Sequence, residues 1–246
     1  MTLLQFLNLV LLNLLVLTAL SYFWSFYTHK LFKPYAWLDA QNKKGVDKAT
    51  IKLERKQKDK IRFYALWLQL KRINSRKIKG AVAELGVYKG ETAKLIHQML
   101  PDRDFYLFDS FSGLPKQVIK EDCDGNVRPQ TVNFDNTTPE EVLGYIDGDK
   151  RKLHIREGIF PDTTKGLKEE VYALVHIDAD LYQSTLDALG YFYPRLSPGG
   201  SLIIHDYNHN WDGVRKAVDE FSPTIPEEFV ELPDMYGSVI LIKNNL

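Results

Sequence analysis

The chain has 246 residues, a length that favours one catalytic-size domain with an appendage over two separate domains. It carries 32 basic and 32 acidic residues, and this balance is typical of neither a nucleic-acid-binding protein nor an acidic tail protein. The single cysteine, Cys123, excludes an intramolecular disulfide and is too little for a structural zinc site. The charge is nevertheless uneven, because residues 30–80 contain 16 basic and only 4 acidic side chains.

The N-terminal segment, residues 1–29, contains no Asp, Glu, Lys or Arg. Residues 3–27 are mostly apolar, and 25 helical residues extend about 38 Å, enough to cross a hydrocarbon core of ~30 Å. We therefore predict a membrane anchor helix over residues 1–29. Lysines follow this segment and none precedes it, so the positive-inside bias predicts a single-pass membrane protein with a cytoplasmic C-terminal domain. A cleaved signal peptide and a buried soluble helix are the alternatives.

The following segment, residues 30–79, is predicted to be a basic juxtamembrane or linker helix. Apolar residues recur at helical intervals between Lys52 and Gly80, a pattern that indicates an amphipathic helix. Two compatible interpretations remain open for it. Either its cations meet anionic lipid headgroups below the anchor, or they stay solvated while the apolar side packs on the next domain.

Apolar runs of strand length alternate with helical patterns over residues 80–246, which predicts βαβ units and a mostly parallel α/β sheet flanked by helices. The predicted strands are 81–85, 105–109, 153–157, 173–178, 201–206, 228–232 and 238–243. The predicted helices include 92–100, 184–192 and 213–221. Only a short turn separates the last two strands, so we expect them to pair antiparallel. The long irregular connection at 111–136 is typical of an active-site lid.

The first strand runs into the turn "AELGVYKGETA", in which Gly86 and Gly90 permit a tight backbone approach to a ligand at a helix N-terminus. A dinucleotide fingerprint would read G-x-G-x-x-G, and this turn does not. Glu84 can accept from an ammonium and Thr92 can donate to a carboxylate, so the turn suits an amino-acid moiety. Asp109, at the end of the second strand, is positioned to bind vicinal ribose hydroxyls, although an Asp that caps a turn is the alternative.

Acidic residues also follow the fourth and fifth predicted strands, in "HIDADLY" and "LIIHDYNHNWDG". Asp178, Asp180 and Asp206 all stand at strand ends, where ligands tend to bind in α/β proteins, and His205 precedes Asp206. His176 lies on the same strand face as Asp178 but two residues deeper, so we interpret it as a core histidine.

The turn "ELGVYKGET" resembles the first S-adenosylmethionine (SAM) motif of class I O-methyltransferases. The segments "LFDSFSGLP", "HIDADLYQSTLDAL", "YPRLSPGGSLIIHDY" and "GVRKAVDEF" are similar, in order and spacing, to the macrocin O-methyltransferase (TylF) family, whose members methylate sugar hydroxyls. The resemblance runs from about Arg62 to Lys243. It implies a class I methyltransferase Rossmann-like fold and identifies residues 80–246 as a SAM-dependent methyltransferase domain.

The resemblance also implies which residues bind SAM. Those implied to contact its methionine portion are Glu84, Gly86, Tyr88, Gly90 and Thr92. Asp109, with the adjacent Ser110, is implied to bind the ribose hydroxyls. Gly158 and Phe160 are implied to lie near the adenine.

For the acidic residues, the resemblance implies that Asp178 is a metal ligand and Asp180 a general base. Magnesium-dependent members of the family have two adjacent acids before the tyrosine, whereas this chain has His205, Asp206 and Tyr207. Because Mg²⁺ prefers oxygen ligands, a histidine here favours weaker Mg²⁺ binding, a softer ion such as Mn²⁺, or no metal. We expect a divalent metal held by Asp178, Asp206 and His205, with Asp180 or His205 as the proton acceptor. The alternative is a metal-free site in which His205 is the base.

The sequence thus predicts a SAM-dependent O-methyltransferase that acts on a glycosyl or other polyol hydroxyl at the cytoplasmic membrane face. The expected partners are the membrane and a small-molecule or lipid-linked glycan acceptor, with no nucleic acid and with homo-oligomer formation left open. A dinucleotide (NAD) oxidoreductase is disfavoured by the missing central glycine. A catalytically silent membrane scaffold that keeps the fold is disfavoured by the retained acids.

Overall fold

The computed structural model describes residues 1–28, 33–114, 134–209 and 212–244. The chain divides into two compact units, Met1–Lys56 and Gln57–Leu246. Most of the lid expected at 111–136 lies outside the described residues, as does Cys123.

The first unit contains three helices: α1 (Leu3–Thr28), α2 (Tyr35–Asn42) and α3 (Lys48–Lys56). Among the described residues, α1 contains the one stretch, Leu3–Tyr27, that is long and apolar enough to cross a membrane, and its apolar side chains are exposed. In α3, the Asp47 carboxylate accepts a hydrogen bond from the Thr50 backbone N–H at 2.6 Å. The buried Glu54 on the same helix pairs with Lys33 at 3.2 Å, so the one buried acid of α3 has a cationic partner.

The amphipathic helix predicted over 52–80 is wrong in extent, because the chain forms α3 and then a separate helix, α4 (Lys60–Ser75). Asp59 ends the continuity: its side chain accepts a hydrogen bond from the Arg62 backbone N–H at 3.0 Å and so caps the start of α4. The buried face of α4 belongs to the second unit and packs against the sheet. Its residues are Phe63, Tyr64, Leu66, Trp67, Leu70 and Ile73.

The second unit is built on a seven-stranded sheet that confirms the predicted fold class. The strands are β1 (Ala81–Leu85), β2 (Phe105–Asp109), β3 (Leu153–Glu157), β4 (Tyr172–Ile177), β5 (Leu196–Ile204), β6 (Val230–Glu231) and β7 (Val239–Ile242). Their order is β3-β2-β1-β4-β5-β7-β6. The first five are parallel, while β7 pairs antiparallel with both β5 and β6, as predicted for the last two strands.

Four further helices are described between the strands: α5 (Glu91–Met99), α6 (Pro139–Ile146), α7 (Tyr182–Phe192) and α8 (Asp212–Phe221). Strand β5 begins five residues before the prediction. Its early part is extended despite Pro198, because Leu196 is in register with Tyr172 and Gly199 donates to the Lys243 carbonyl at 2.8 Å. The core between sheet and helices is continuous and includes aromatic residues such as Phe108, Tyr172 and Phe192.

The order of the strands reverses between β1 and β4, and this reversal creates the crevice in which ligands of open α/β sheets bind. Backbone bonds align the strand ends there. Asp178 N donates to the Leu85 carbonyl at 2.8 Å, and His205 N donates to the Ile177 carbonyl at 2.9 Å. The residues that follow β1, β4 and β5 therefore lie side by side at one edge of the sheet.

Candidate active site

The turn after β1 depends on the glycine at position 86. Gly86 has a φ of +85°, and a Cβ built on it would lie 1.9 Å from the carbonyl oxygen of Asp178. Tyr88 and Gly90 also have positive φ, and α5 begins directly after Gly90. The turn therefore brings the backbone after β1 against the end of β4 and presents the N-terminus of α5, with the partly exposed Thr92 in its first turn, to the crevice.

Glu84 lies on β1 directly below this turn and is buried. Its Oε1 is 3.1 Å from Nδ1 of the buried His176, while Oε2 has no hydrogen-bond partner among the described residues. Burial and the nearby charge of Asp178 raise the pKa of Glu84 well above its usual value, although Arg62 opposes this shift. A buried acceptor without a donor is costly, so this oxygen fits a ligand that supplies an N–H group, such as the ammonium of an amino acid.

Asp109 holds the turn from the end of β2. Its Oδ2 accepts hydrogen bonds from the backbone N–H groups of Val87 at 2.7 Å and Tyr88 at 2.8 Å, and its Oδ1 accepts from Phe111 N at 2.8 Å. Its side chain remains partly exposed, and carboxylate oxygens accept more than one bond. Ser110 donates to the Gly113 carbonyl at 3.0 Å, which folds the loop beside the carboxylate.

The two residues expected near the adenine differ in accessibility. Gly158 follows β3 with a φ of +132° and lines an open groove at this end of the sheet. Phe160 is only 6% exposed and packs on Phe108 and Phe192, with ring centroids 5.6 and 5.5 Å apart. The neighbouring Ile159 is 62% exposed and lines the same groove, so it offers the accessible apolar surface there.

The acids after β4 and β5 come together as the sequence predicts. Nδ1 of His205 lies 3.1 Å from Oδ1 of Asp178 and 2.9 Å from Oδ1 of Asp206. Asp180, with a φ of +60°, follows Asp178 by two residues and is close enough to Asp178 and Asp206 for their charges to raise its pKa. We call these four residues the acid cluster. His209 lies in the next turn, its ring 5.0 Å from that of Tyr236.

The members of the acid cluster differ in the direction of their pKa shifts. Although burial opposes it, the positive charges of Arg62 and His205 hold the pKa of Asp178 well below its usual value. Burial, followed by the charges of Asp178 and Asp206, raises the pKa of Asp180 well above its usual value. Burial lowers the pKa of His205, but Asp178 and Asp206 raise it by more, to about 10. The arrangement therefore pairs an imidazolium with the carboxylate of Asp178, and Asp180 binds a proton more tightly than an ordinary aspartate does.

Arg62 is the main residue of the site that the sequence motifs do not indicate. It lies in the first turn of α4, and its Nη2 is 2.5 Å from Oδ2 of Asp178 and 3.4 Å from Nε2 of His176. Burial and the charge of Arg62 lower the pKa of His176, so this histidine is neutral, as expected for a core position. Arg62 and Asp178 are 116 residues apart, and a basic residue on an amphipathic helix carries no signal for such a contact.

The acid cluster does not fit the divalent metal predicted from the sequence. Ligand atoms of Asp178, His205 and Asp206 lie within 4.8 Å of one another, as a metal site requires. However, Asp178 is already paired with a guanidinium, and Nδ1 of His205 is within hydrogen-bond distance of both carboxylates. A divalent ion bound there would have to displace the guanidinium from Asp178 or face its positive charge.

An aromatic side chain adjoins the acid cluster on the side of β5 and β7. The Tyr236 ring is 46% exposed and lies 6.0 Å from the His205 ring. Asn208 N donates to the Tyr236 carbonyl at 3.1 Å, and Met235 N donates to Oδ2 of Asp59 at 2.6 Å. Tyr236 therefore stands on a turn that is tied both to the end of β5 and to the cap of α4.

The sheet order, the glycine turn after β1 and the acid cluster after β4 and β5 define a class I methyltransferase-type fold. The solved structure of the O-methyltransferase NovP has this fold: it superposes with a TM-score of 0.61 at 23% identity, over 76% of this chain and 81% of that one.

The family model for macrocin O-methyltransferase (TylF) matches residues 32–231, and the chain belongs to this family. This confirms the family that the motifs resemble. A tetracenomycin-C 4'-O-methyltransferase of Streptomyces olivaceus, named for its rhamnosyl substrate, is 32% identical over 58% of each chain. Mycinamicin III 3''-O-methyltransferase of Micromonospora griseorubida is 32% identical over 63% of this chain and 66% of its own. This chain thus spans between 58% and 66% of these two relatives. The oxidoreductase and scaffold alternatives find no support among them.

Proposed function

We propose that the protein is a SAM-dependent O-methyltransferase that methylates a hydroxyl of a glycosyl or other polyol acceptor. The observation that carries this proposal is the unpartnered Oε2 of the buried Glu84 beside the acid cluster at the same sheet edge. On one side of the crevice, a buried carboxylate oxygen thus requires a hydrogen-bond donor from a ligand. The other side holds carboxyl groups that can take up a proton.

SAM supplies a methyl group activated on a sulfonium. On the donor side, Glu84 accepts from the amino group of the methionine portion, and Thr92 in the first turn of α5 faces its carboxylate. At Gly86, Tyr88 and Gly90 the backbone itself passes close to the methionine portion. Asp109 binds the ribose hydroxyls while it continues to hold the turn, with Ser110 beside it. Gly158 borders the adenine, and Phe160 supports the exposed Ile159 from the core.

On the acceptor side, a sugar hydroxyl is a weak nucleophile and needs a base within hydrogen-bond reach. The acceptor oxygen forms its bond to the methyl carbon as the carbon–sulfur bond breaks, and the hydroxyl proton passes to Asp180. In its ionised form Asp180 is a stronger base than an ordinary aspartate, because burial and the charges of Asp178 and Asp206 raise its pKa. His205 faces the carboxylates of Asp178 and Asp206 and stabilises the negative charge that develops, so the metal predicted from the sequence has no part in this scheme.

The names of the two relatives support a glycosyl acceptor, since one is a 4'-O- and the other a 3''-O-methyltransferase of glycosylated compounds. The exposed apolar helix α1 supports a membrane anchor over residues 1–29. The domain boundary predicted at residue 80, after the basic segment 30–79, moves towards the N-terminus, because the compact unit that contains the sheet begins at Gln57. We infer that α4, although basic, is part of the catalytic unit. A single-pass protein with a cytoplasmic catalytic domain would reach a lipid-linked glycan at the membrane face.

Calorimetry on the full chain in detergent tests the donor side. We expect S-adenosylhomocysteine (SAH), the demethylated product of SAM, to bind and NAD not to bind. Tight NAD binding without SAH binding would reject the proposal in favour of an oxidoreductase. Binding of SAH without any methyl transfer from labelled SAM to membrane extracts would favour the silent scaffold.

Membrane fractionation tests the anchor. Full-length protein should remain in the pellet after salt and after alkaline carbonate, because about 25 apolar helical residues suffice to span the bilayer. A variant that lacks residues 1–33 should be released while it retains its SAH affinity. Release of the intact chain by carbonate would reject the spanning helix.

A further inference from the structure

The guanidinium of Arg62 lies where the donor residues and the acid cluster meet. Its Nη2 is 2.5 Å from Oδ2 of Asp178 and 3.4 Å from Nε2 of His176. The other ring nitrogen of His176 is 3.1 Å from Glu84. Polar side chains therefore lie next to one another from the donor side, past Arg62, to the acids after β4.

The remaining oxygen of Asp178 is also occupied. Oδ1 lies 3.1 Å from Nδ1 of His205, and that same nitrogen lies 2.9 Å from Asp206. A metal bound through Nδ1 of His205 would take the lone pair of that nitrogen and end both contacts. It would also stand against a guanidinium, which does not lose its proton in proteins.

The position of Arg62 is fixed by its helix. Asp59 caps α4 by accepting from Arg62 N at 3.0 Å, and its second oxygen accepts from Met235 N at 2.6 Å. The next two residues, Phe63 and Tyr64, are buried. The guanidinium is thus presented by a capped helix that is anchored in the core.

We propose that Arg62 takes the role that a divalent cation has in the magnesium-dependent members of the family, so that this site transfers the methyl group without a bound metal. Arg62 is a positioning residue: it neutralises and orients Asp178 and does not touch the acceptor. The inference rests on the proposed function, because it concerns how the negative charges of the same site are neutralised.

Titration of MnCl₂ and MgCl₂ into SAH-loaded full-length protein in detergent, followed by calorimetry, tests the proposal. We expect no saturable binding to the wild-type protein at millimolar concentrations. The double variant Arg62→Met/His205→Asp removes the internal cation and adds an oxygen ligand, so it should gain Mn²⁺ binding by about 10- to 100-fold. Adding Asp178→Asn to that background should abolish the gain. Arg72→Met, on the same helix, is the matched control and should remain like the wild type.

Kinetics provide a second measurement. Methyl transfer from labelled SAM to a membrane extract should continue in EDTA. Arg62→Met should lower kcat by about 10- to 100-fold, a larger factor than any change in the KM for SAM, and Arg62→Lys should recover part of the loss. A kcat near that of the wild type in Arg62→Met would overturn the proposal.

Two results with the wild-type protein would overturn the proposal even if the Arg62 variants do not fold. One is saturable Mn²⁺ or Mg²⁺ binding that Asp178→Asn abolishes. The other is loss of methyl transfer in EDTA that either ion restores. Failure of SAH to bind is a separate outcome, which would reject the proposed function itself.

Discussion

The two halves of the crevice hold their polar groups in different ways. At the ends of β1 and β2, Asp109 is bound by backbone N–H groups, among them those of Val87 and Tyr88, 22 and 21 residues away in the chain. At the ends of β4 and β5, Asp178 is bound by the charged side chains of Arg62 and His205, of which Arg62 is 116 residues away. The donor half is therefore a local backbone structure, and the acid half is a charge network assembled by the tertiary fold.

This difference predicts which substitutions each half of the crevice tolerates. A backbone-held turn fails when its conformation is strained, because the N–H groups then no longer converge. A charge network fails when one member is neutralised, because its partner is left as an uncompensated buried charge. Changes in the acid half should therefore alter turnover more than binding, and changes in the donor half should alter stability and SAM binding.

The largest effect is expected for Asp180→Asn, which removes the proposed proton acceptor and keeps the shape. Turnover in a labelled-methyl assay should fall by about 10²–10⁴-fold, the usual contribution of a general base. SAH affinity by calorimetry should stay the same, because Asp180 belongs to the acid half. Asp102→Asn, an exposed carboxylate outside the acid cluster and the adenine groove, serves as the control. A loss of SAH binding equal to the loss of turnover would erase the distinction between the halves.

Gly86→Ala should have the next largest effect, on folding. A Cβ there would meet the Asp178 carbonyl at 1.9 Å, and φ is +85°, so strain and overpacking together should lower the free energy of unfolding by roughly 3 kcal/mol. The matched control is Gly166→Ala, with a φ of +76° but no atom within 4 Å, which should cost about 1 kcal/mol. Urea denaturation measures both values. Equal losses would mean that the approach of the turn to β4 is unimportant.

Asp109→Ala should weaken SAH binding by about 1–3 kcal/mol, since it removes hydrogen bonds to the ribose and to the turn. Calorimetry measures the loss. The remaining turnover at saturating SAM should be close to normal, which separates this residue from Asp180. Unchanged SAH affinity would restrict Asp109 to the role of a turn cap.

The smallest effect is expected at Tyr236, whose exposed ring adjoins the acid cluster. If a sugar packs on this ring, Tyr236→Ala should raise the acceptor KM by about 2- to 12-fold, equivalent to 0.5–1.5 kcal/mol for an aromatic contact. Tyr236→Phe should keep the wild-type KM. A change in SAH affinity in place of acceptor KM would assign the ring to the donor half.

Much of the donor half could be predicted because its contacts join residues that are close in sequence. The turn, Gly86 and Asp109 all lie within motifs that can be read directly, and the mostly parallel sheet with an antiparallel last strand follows from the strand pattern. Phe160 and Ile159 differ only in which of two adjacent side chains faces the core, and "REGIFPDTT" does not determine this choice. The break at Asp59 was missed because its capping role depends on where α4 begins.

The acid half could be predicted only in part. The positions of Asp178, Asp180, His205 and Asp206 follow from strand ends, so their proximity was expected. The partner of Asp178 was not, because Arg62 reaches it only after α4 packs on the sheet. The divalent metal was inferred from the family resemblance and from the acids at two strand ends, and that inference changes once the guanidinium of Arg62 is found beside Asp178.

Analysis of the methylated product is the most direct test of the central claim. Membrane extract is incubated with the full-length protein and SAM that carries an isotopically labelled methyl group, and the labelled products are analysed by mass spectrometry and linkage analysis. The account predicts a labelled methyl ether on a sugar hydroxyl, formed by the wild-type protein and lost in Asp180→Asn. Label on nitrogen or sulfur, or no labelled product from a protein that binds SAH, would contradict it.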